Sequence, residues 1–259
     1  MFTLNVEGFV LFLNNLPIVV TWLVMLVICF FCILLFLRFF GKAGLYVYTC
    51  VAIIAANIQV LKIVDFPFFN DPIALGTVLF ASTFLCTDIL SEYYNTRSAR
   101  KNIFIGFSGF LLMTIFIILT MGVKPIDEIS AGNNYQWALN TQDNLISIFM
   151  PFPTFFIASM IAYFSSQLFD VWIFEKLSFY TNKKFLWFRN NFSTSVSSLI
   201  DNSVFSILAW IILNPEPLEF MTVLFTFILG TYLLRIFITL FDTPFIYLAK
   251  YFLPKKIDE

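Results

Sequence analysis

The sequence contains no histidine and few charged side chains. Of its 259 residues 12% are Asp, Glu, Lys or Arg, whereas soluble domains have about 25%. The absence of histidine excludes Ser–His catalysis, His-ligated zinc and haem sites, and proton relays through imidazole. With 60% hydrophobic residues and a mean hydropathy of +0.88, the composition predicts an integral membrane protein.

Cysteine and nucleotide-binding motifs are also scarce. The four cysteines, Cys29, Cys32, Cys50 and Cys86, all lie in apolar runs, and Cys29 and Cys32 have no second pair nearby. They are best interpreted as small apolar helix residues, and the sequence predicts no bound metal and no cofactor. It contains no G-x-x-x-x-G-K-(S/T) motif, so any use of ATP would need a partner. No basic run suggests nucleic acid, and no Lys or Arg precedes the first apolar run, so no cleavable signal peptide is expected.

Seven apolar stretches are long enough to cross a bilayer. They cover residues 16–39, 45–64, 71–92, 102–121, 151–174, 190–213 and 215–239. A helix of about 20 residues spans the ~30 Å hydrocarbon core, and only bundled helices satisfy their own backbone hydrogen bonds there. Asp71 and Pro72 predict the start of the third span, as N-cap and first helical residue. The predicted fold class is therefore an all-α integral membrane protein, a polytopic bundle of about seven transmembrane helices.

The flanking segments and the basic residues predict the organisation of the chain. Residues 1–44 are predicted to be an N-terminal interfacial segment and the first transmembrane helix, residues 45–240 the main helical core, and residues 241–259 a cytoplasmic C-terminal tail. The polar segment 122–150 is predicted to be an extramembranous loop. With seven spans, thirteen of the fifteen basic residues fall on one side: Arg38, Lys42, Arg97, Arg100, Lys101, Lys176, Lys183, Lys184, Arg189, Arg235, Lys250, Lys255 and Lys256. The positive-inside rule then places the N-terminus outside and the C-terminus in the cytoplasm.

A polar stripe runs into the sixth span. Its members are spaced i, i+3, i+4 and i+7 and so share one helix face: Thr194, Ser197, Ser198 and Asp201. If the helix begins near Asn190, Asp201 lies roughly half-way through the hydrocarbon at about 1.5 Å rise per residue. A carboxylate there costs about 2.5–3.5 kcal/mol even on the lenient insertion scale. This face is therefore predicted to line an aqueous or ligand-filled interior.

Three other polar groups lie within the spans. Asn57 is near the middle of the second span. Asp88 and Glu92 share a face of the third span at i, i+4. Gln167 and Asp170 share a face of the fifth at i, i+3. These side chains are candidates for the same interior.

Asp88 and Glu92 also have a structural interpretation. Both lie toward the cytoplasmic end of their span, where acidic residues commonly pair with basic residues of the adjoining loop. The available partners are Arg97, Arg100 and Lys101. The sequence leaves this pairing and a functional role open.

The other candidates have similar alternatives. Asp170 can pair with Lys176, and Asn57 can act as interhelical glue. Arg189 is either the cation of a cytoplasmic vestibule or an ordinary positive-inside arginine. At mid-depth Asp201 has no route to the interface, so a functional or buried-pair role is favoured for it.

As a set, these side chains suit a small, flat, nitrogen-rich ligand. A carboxylate accepts two parallel hydrogen bonds from the N–H groups of a guanine-like edge, an amide matches a lactam or ring nitrogen, and rings stack on aromatic side chains. A second carboxylate can hold an ammonium group. The set predicts a protein that binds and moves a solute.

Motifs in the third, fifth and sixth spans carry a family resemblance. Residues 87–100 are similar to T-D-x-x-S-E-x-Y-G-x-x-x-A-R, residues 162–170 to A-Y-x-x-(G/S)-(Q/E)-x-x-(D/N), and residues 187–201 to W-x-R-(N/T)-x-x-S-T…D. Asn57 falls at the position of an S-N or A-N pair. Together these segments, within residues 45–213, resemble the queuosine precursor transporter family, the vitamin-uptake-type transporters.

The resemblance implies a six-helix core, preceded here by an additional N-terminal helix. It implies uptake of a 7-deazaguanine across the bacterial inner membrane for tRNA modification: preQ0, preQ1 (the cyano and aminomethyl compounds) or the base queuine. Transport would proceed by alternating access or facilitated diffusion. The partners implied are this deazapurine and the lipid bilayer, with no nucleic acid. The implied substrate-binding residues are Asn57, Asp88, Glu92, Gln167, Asp170, Arg189, Asn190, Ser193 and Asp201.

The sequence leaves two alternatives to a self-sufficient transporter. An intramembrane enzyme is one, because Asp88, Asp170 and Asp201 can in principle supply a two-aspartate protease pair, although no Tyr-Asp and Gly-x-Gly-Asp pair is present. The other is the substrate-binding membrane subunit of an energy-coupled vitamin importer, which would need an unidentified energising subunit. A homodimer is compatible with either arrangement.

Overall fold

The computed structural model describes residues 5–67, 73–150 and 152–254, without the side chains of residues 152–154. Its helices are α1 (Val6–Asn14), α2 (Ile18–Gln59), α3 (Thr77–Tyr93), α4 (Thr96–Gly122), α5 (Glu128–Ala131), α6 (Gln136–Phe149), α7 (Phe152–Tyr180), α8 (Leu186–Ile207), α9 (Phe220–Thr222) and α10 (Thr231–Phe252). Two π-helices, π1 (Leu208–Ile212) and π2 (Val223–Gly230), follow α8 and α9, and strands β1 (Ile63–Val64) and β2 (Ile73–Ala74) pair antiparallel. The predicted all-α architecture is confirmed.

Helix α2 covers most of the first two predicted spans, but it ends at Gln59, and residues 63–64 of the second span form β1 instead. The helix is 42 residues long and bends at Gly41, where φ is 57° and ψ is −140°. Glycine adopts such a positive φ without a steric penalty. The rings of Trp22, before the bend, and Phe66, beyond the second half, have centroids 6.0 Å apart. The chain therefore reverses at Gly41, and the two spans lie antiparallel.

Helix α3 begins later than the sequence predicts. It starts at Thr77, because residues 73–74 pair with β1 in a short hairpin. The predicted cap, Asp71 and Pro72, lies outside the described residues. The helix has 17 residues, and almost every residue between its first and last turns is buried. It is the central helix of the bundle, in contact with α2, α4, α7 and α10.

The polar segment 122–150 is largely helical, where the sequence predicts a loop. Helices α5 and α6 occupy it, and α6 buries none of its side chains. Asp127 caps α5 by accepting a hydrogen bond at Oδ1 from the Ser130 backbone N–H at 2.8 Å. The hydrogen bonds from Ser130 lower the pKa of Asp127. Capping and local hydrogen bonds therefore form helix here with little help from burial.

The C-terminal helix extends beyond the predicted end of the core. Helix α10 continues to Phe252 and so includes the start of the predicted tail, residues 241–259. Pro244 lies inside it, which an apolar bundle tolerates because neighbouring groups satisfy the freed backbone. Asp242 is buried in the same helix. The chain is therefore helical and packed up to Phe252.

Five helices of the described chain are long and apolar enough to cross a membrane. They are Ile18–Gln59, Thr96–Gly122, Phe155–Tyr180, Leu186–Ile212 and Phe220–Phe252. The first consists of the two antiparallel halves of α2. With those halves counted separately and the buried α3 added, the helices correspond one by one to the seven predicted spans.

Three helices approach closely at Gly106 of α4. A Cβ atom at this position would lie 2.7 Å from Tyr163 Oη and 2.8 Å from Ile53 Cδ1. Real Cβ contacts are longer, so a Cβ here would force the ends of these two buried side chains to shift. Gly106 therefore allows α2, α4 and α7 to converge, as small residues do in membrane bundles.

Gly106→Ala is expected to lower the free energy of unfolding by about 1–3 kcal/mol, the usual cost of overpacking a filled interior. The matched control is Gly122→Ala at the end of the same helix, where a Cβ would meet nothing within 4 Å. This control should be neutral or slightly stabilising, because alanine favours the helix. Thermal unfolding of both variants in detergent measures the difference, and equal midpoints would contradict the tight contact.

Candidate functional site

The buried charged side chains of the described residues form three groups inside the bundle, and five of the sequence-predicted site residues belong to them. Two of the groups are ion pairs, and the third consists of acidic side chains only. We name them the cavity pair (Asp201 and Arg235), the carboxylate cluster (Asp88, Asp170 and Asp242) and the end pair (Glu92 and Arg189).

The cavity pair is a buried ion pair between α8 and α10. Arg235 Nη1 donates to Asp201 Oδ2 at 2.5 Å, and Ser166 Oγ donates to Asp201 Oδ1 at 3.0 Å. The guanidinium carbon lies 5.4 Å from the Phe80 ring centroid. Arg235 Nε is buried and donates to no acceptor among the described residues. The two charges of the pair therefore neutralise each other inside the bundle.

A cavity of about 120 Å³ lies beside this pair. Trp210 from π1 and Phe227 from π2 stand on its wall, with ring centroids 4.9 Å apart and an angle of 30° between the rings. Other side chains on the wall are Asn57, Phe80, Ser159, Phe205, Asn202 and Thr231. An apolar, partly aromatic pocket with a few convergent polar groups is typical of a small-molecule site.

Two amides support the cavity wall. Asn57 Nδ2 donates to the Ile53 carbonyl oxygen at 2.9 Å, one turn earlier in α2. Asn202 Nδ2 donates to Thr231 Oγ1 at 2.8 Å and so joins α8 to α10. Of the nine predicted site residues, Asn57 and Asp201 are the two on this wall.

The carboxylate cluster is enclosed by protein. Asp88, Asp170 and Asp242 come from α3, α7 and α10, and none is more than 1% exposed. Asp170 lies within electrostatic reach of both Asp88 and Asp242. The ion pairs of the described residues involve other carboxylates: Glu175, Glu92 and Asp201. Three acidic side chains therefore share an enclosed site, and none of them pairs with a cation among the described residues.

Helix α8 supplies the hydrogen-bond donors of this cluster. Thr194 Oγ1 donates to Asp88 Oδ2 at 3.1 Å, and Asn190 Nδ2 donates to Asp242 Oδ1 at 2.8 Å. The sequence predicted Asn190 as a site residue and Thr194 as part of the polar stripe. These bonds tie α8 to both α3 and α10.

Asp170 is the least satisfied member of the cluster. The Ser193 and Ser197 hydroxyls face it, but neither carboxylate oxygen of Asp170 has a hydrogen-bond partner among the described residues. Ser193 Oγ instead donates to the Asn190 carbonyl oxygen at 3.2 Å. Ser197 Oγ is buried and also lacks a partner in the described chain. Buried oxygens in this state are normally occupied by protons, water or a cation.

Gln167 is held by α3 at both ends of its amide. Its Nε2 donates to Thr83 Oγ1 at 2.9 Å, and its Oε1 accepts from Thr87 Oγ1 at 3.0 Å. All three side chains are fully buried. Gln167 therefore links α7 to α3 and fixes the position of Asp170 one turn further along.

The end pair closes the bundle near the α7–α8 connection. Arg189 donates from Nη1 to Glu92 Oε2 at 2.6 Å and from Nη2 to Glu92 Oε1 at 3.0 Å, a bidentate pair. Arg189 also donates to the carbonyl oxygens of Lys183 and Lys184. The connection has positive φ at Asn182, Lys183 and Phe185, a region that costs non-glycine residues energy. Arg189 therefore holds a strained turn in place.

Among the ion pairs of the described residues, none joins a loop lysine or arginine proposed as an alternative partner to Asp88, Glu92 or Asp170. Arg100 pairs with Glu175 at 3.1 Å, and both side chains are about half exposed. Lys176 Nζ lies 6.0 Å from the Trp172 ring centroid, so it does not pair with Asp170. The partner of Glu92 is the predicted site residue Arg189.

Two site residues were missed in the sequence. Arg235 was counted with the cytoplasmic basic residues, and this assignment is wrong, because it is buried and paired with Asp201. Asp242 was placed in the tail. The available signal was spacing, because Arg235, Thr239 and Asp242 stand at i, i+4 and i+7 on one face of an otherwise apolar helix.

The chain is similar to known membrane transporters. Residues 74–249 match the family model described as "Putative vitamin uptake transporter". A curated relative, the "Probable queuosine precursor transporter" of Bacillus subtilis (strain 168), is 32% identical over 234 residues, which are 90% of this chain and 95% of the relative. No solved structure matches the chain. The family match includes all three charged groups of the bundle.

Proposed function

The chain belongs to the vitamin uptake transporter family, and from this membership we propose that it imports a queuosine precursor. It is a multi-pass membrane transporter and not an enzyme. The relative in Bacillus subtilis bears the name of a queuosine precursor transporter, and the sequence motifs of α3, α7 and α8 resemble that family. The substrate class proposed is a 7-deazaguanine.

The observation that carries this proposal is the cavity pair facing an aromatic cavity. Guanine-type rings combine a carbonyl acceptor with an adjacent edge of N–H donors. Arg235 and Asp201 both line the cavity, so the guanidinium can donate to the carbonyl while the carboxylate accepts from the N–H edge. Trp210 and Phe227 offer faces on which a flat ring can stack. The cavity therefore has a complementary group for each feature of the heterocycle.

The size of the cavity favours a free base over a nucleoside. Pockets for drug-sized ligands usually enclose about 300–1,000 Å³, and this one encloses about 120 Å³. A bicyclic base fills such a space after small side-chain adjustments, whereas a ribose would need a much larger opening. We therefore propose preQ0, preQ1 or queuine as the transported forms, with preQ1 or preQ0 preferred on size.

Under this proposal some of the predicted site residues contact the substrate, and the others position the helices around it or form the carboxylate cluster. Asn57 and Asp201, together with Arg235, contact the substrate. The other predicted residues hold the helices around it or belong to the carboxylate cluster: Asp88, Glu92, Gln167, Asp170, Arg189, Asn190 and Ser193. Transport then consists of switching between two bundle states that bind the base with different affinity.

We propose the bacterial inner membrane as the location, with the N-terminus outside and the C-terminus in the cytoplasm. Removing Arg235 from the count leaves twelve of the fifteen basic residues on the proposed cytoplasmic side. The positive-inside bias is therefore preserved. Tagging each terminus and testing its accessibility in intact cells measures this orientation.

The thermal midpoint of the purified protein should rise when the correct base is added. A ligand of the native state at 100 times its Kd stabilises by about 2.7 kcal/mol. We expect this rise with preQ1, preQ0 or queuine. Adenine should give none, because it lacks the carbonyl and the matching N–H edge, and the nucleoside queuosine should give none because of its size. Equal responses to adenine and to the deazaguanines would contradict the proposed recognition.

A further inference from the structure

The carboxylate cluster plays no direct part in the recognition of the base. Asp88, Asp170 and Asp242 are enclosed, whereas the cavity wall is built from other side chains. The titratable groups that face the cluster are these three acids and the Cys86 thiol beside Asp88. The two buried arginines of the described chain, Arg189 and Arg235, are already paired with Glu92 and Asp201. The cluster therefore needs its own source of positive charge.

Three ionised carboxylates in one enclosed site would strongly destabilise the folded protein. Each buried charge without a partner is heavily penalised, and neighbouring like charges add to the penalty. Hydrogen bonds from Thr194 and Asn190 satisfy one oxygen each on Asp88 and Asp242. They supply no net charge. The site therefore requires a proton or a metal cation on its carboxylates.

Two further oxygens beside the three aspartates also indicate that a proton or cation is needed here. Ser197 Oγ and Asn190 Oδ1 are fully buried and have no hydrogen-bond partner among the described residues. Ser197 faces Asp170, both of whose oxygens are also unpartnered. A proton on Asp170 would turn this acceptor into a donor and complete the local hydrogen bonds.

The arrangement favours protons over a metal ion. Within the described residues no three acidic or cysteine side chains converge closely enough to hold a metal, which disfavours an ion bound by these side chains alone. A proton needs no such convergence, because it sits on one carboxyl group and can be shared with a neighbour.

The cluster and the cavity are connected along two helices. Asp170 is four residues from Ser166 in α7, and Ser197 is four residues from Asp201 in α8, a separation of about 6 Å along each axis. Ser166 donates to Asp201, and Ser197 faces Asp170, so the same two helices contact both sites. A change of charge in the cluster can therefore alter the helix positions that shape the cavity.

We propose that the carboxylate cluster binds the protons that drive uptake, so that each substrate enters together with a proton. The proton binds at Asp170 and its neighbours from the outside and leaves to the cytoplasm after the bundle switches state. The coupling rests on the proposed function, whereas the presence of a bound proton does not. The two parts are tested separately.

Infrared difference spectroscopy tests the proton site without any substrate. At neutral pH the purified protein should show the carbonyl-stretch band of a protonated carboxylic acid in an apolar environment. Asp170→Asn should diminish this band, and the triple variant with Asp88→Asn and Asp242→Asn should abolish it. The matched control Asp127→Asn changes an exposed, hydrogen-bonded carboxylate and should leave the band unchanged. The absence of a band, or a band that persists in the triple variant, would overturn the proton site.

Folding of the variants provides a second readout. Asparagine has the shape of a neutral carboxylic acid, so Asp170→Asn should unfold at nearly the wild-type temperature if Asp170 is protonated. A large change in the unfolding temperature would contradict the proposal, because a rise would mean that an unpaired ionised carboxylate had been removed and a fall that a cation bound to it had been lost.

Uptake of labelled preQ1 into proteoliposomes tests the coupling. An inward pH gradient of one unit should raise its accumulation about tenfold, because one pH unit is worth that factor per coupled proton. Asp170→Asn should lose this response. Accumulation that follows a sodium gradient, or no gradient, would overturn proton coupling. An infrared band without uptake of any deazaguanine would instead refute the proposed substrate and the coupling while supporting the proton site.

Discussion

Arg235→Met should lower the free energy of unfolding by about 3–5 kcal/mol and abolish binding of the base. Removing one partner of a buried ion pair leaves the other as an uncompensated charge, and losses of about this size are typical. Asp201 is 2% exposed, and among the described residues Arg235 is the cation with which it forms an ion pair. The Ser166 hydroxyl alone cannot neutralise it. The effect should be the largest of any single substitution in the bundle.

A double-mutant cycle measures the interaction energy between Asp201 and Arg235 apart from their other contacts. Asp201→Asn combined with Arg235→Met removes both charges, and the double variant should recover much of the stability lost in Arg235→Met. It should still not bind preQ1, because the two charged groups that contact the base are gone and Asn57 alone remains. Thermal unfolding and ligand-induced shifts measure the two properties.

The exposed pair Arg100–Glu175 is the matched control. Its N–O distance is 3.1 Å, but both side chains are about half exposed. Arg100→Met should therefore change stability by no more than about 1 kcal/mol and leave binding intact. Equal losses in Arg100→Met and Arg235→Met would contradict the buried ion pair as the cause.

Glu92→Gln should lower the free energy of unfolding by about 3 kcal/mol, since it leaves a buried guanidinium without its counter-charge. Arg189 is fully buried and holds the strained turn that contains Asn182, Lys183 and Phe185. We expect protease cleavage in this turn to accelerate. Glu92 does not stand on the cavity wall, so protein that remains folded should bind preQ1 with unchanged affinity.

Comparing Glu92→Gln with Asp201→Asn distinguishes a residue that stabilises the fold from one that contacts the base. Asp201→Asn should lose affinity for the base, whereas Glu92→Gln should lose stability and retain affinity. Glu175→Gln, which removes an exposed carboxylate, is the control for both measurements. A large loss of affinity in folded Glu92→Gln would contradict its supporting role and place it in contact with the substrate.

Span positions were predictable because apolar length is a direct requirement of the bilayer. The reversal at Gly41 and the long helices after it follow the predicted spans closely. Boundaries were less predictable. Residues 73–74 joined a hairpin, and α10 passed through Pro244, because contacts with distant parts of the chain override local signals.

Charges inside the spans were recognised as important, but their partners were not. The cost of burial identifies Asp201 from sequence, because the penalty depends on depth alone. Its pairing with Arg235 depends on how α8 faces α10, which no local pattern specifies. The same holds for Asp242, whose place beside Asp170 follows from packing. Sequence thus indicates which side chains need a partner and leaves the choice of partner to the fold.

The buried pair between α8 and α10 bears on how the protein is made. Each of the two spans would present a charge costing about 2.5–3.5 kcal/mol if it entered the lipid alone. The segments Leu186–Ile212 and Phe220–Phe252 are separated in the chain only by residues 213–219. Their acid and base can therefore meet while both are still inside the translocation machinery. Biosynthesis should release them into the lipid as one helical hairpin, and a ribosome stalled before Arg235 emerges should leave the preceding span poorly inserted.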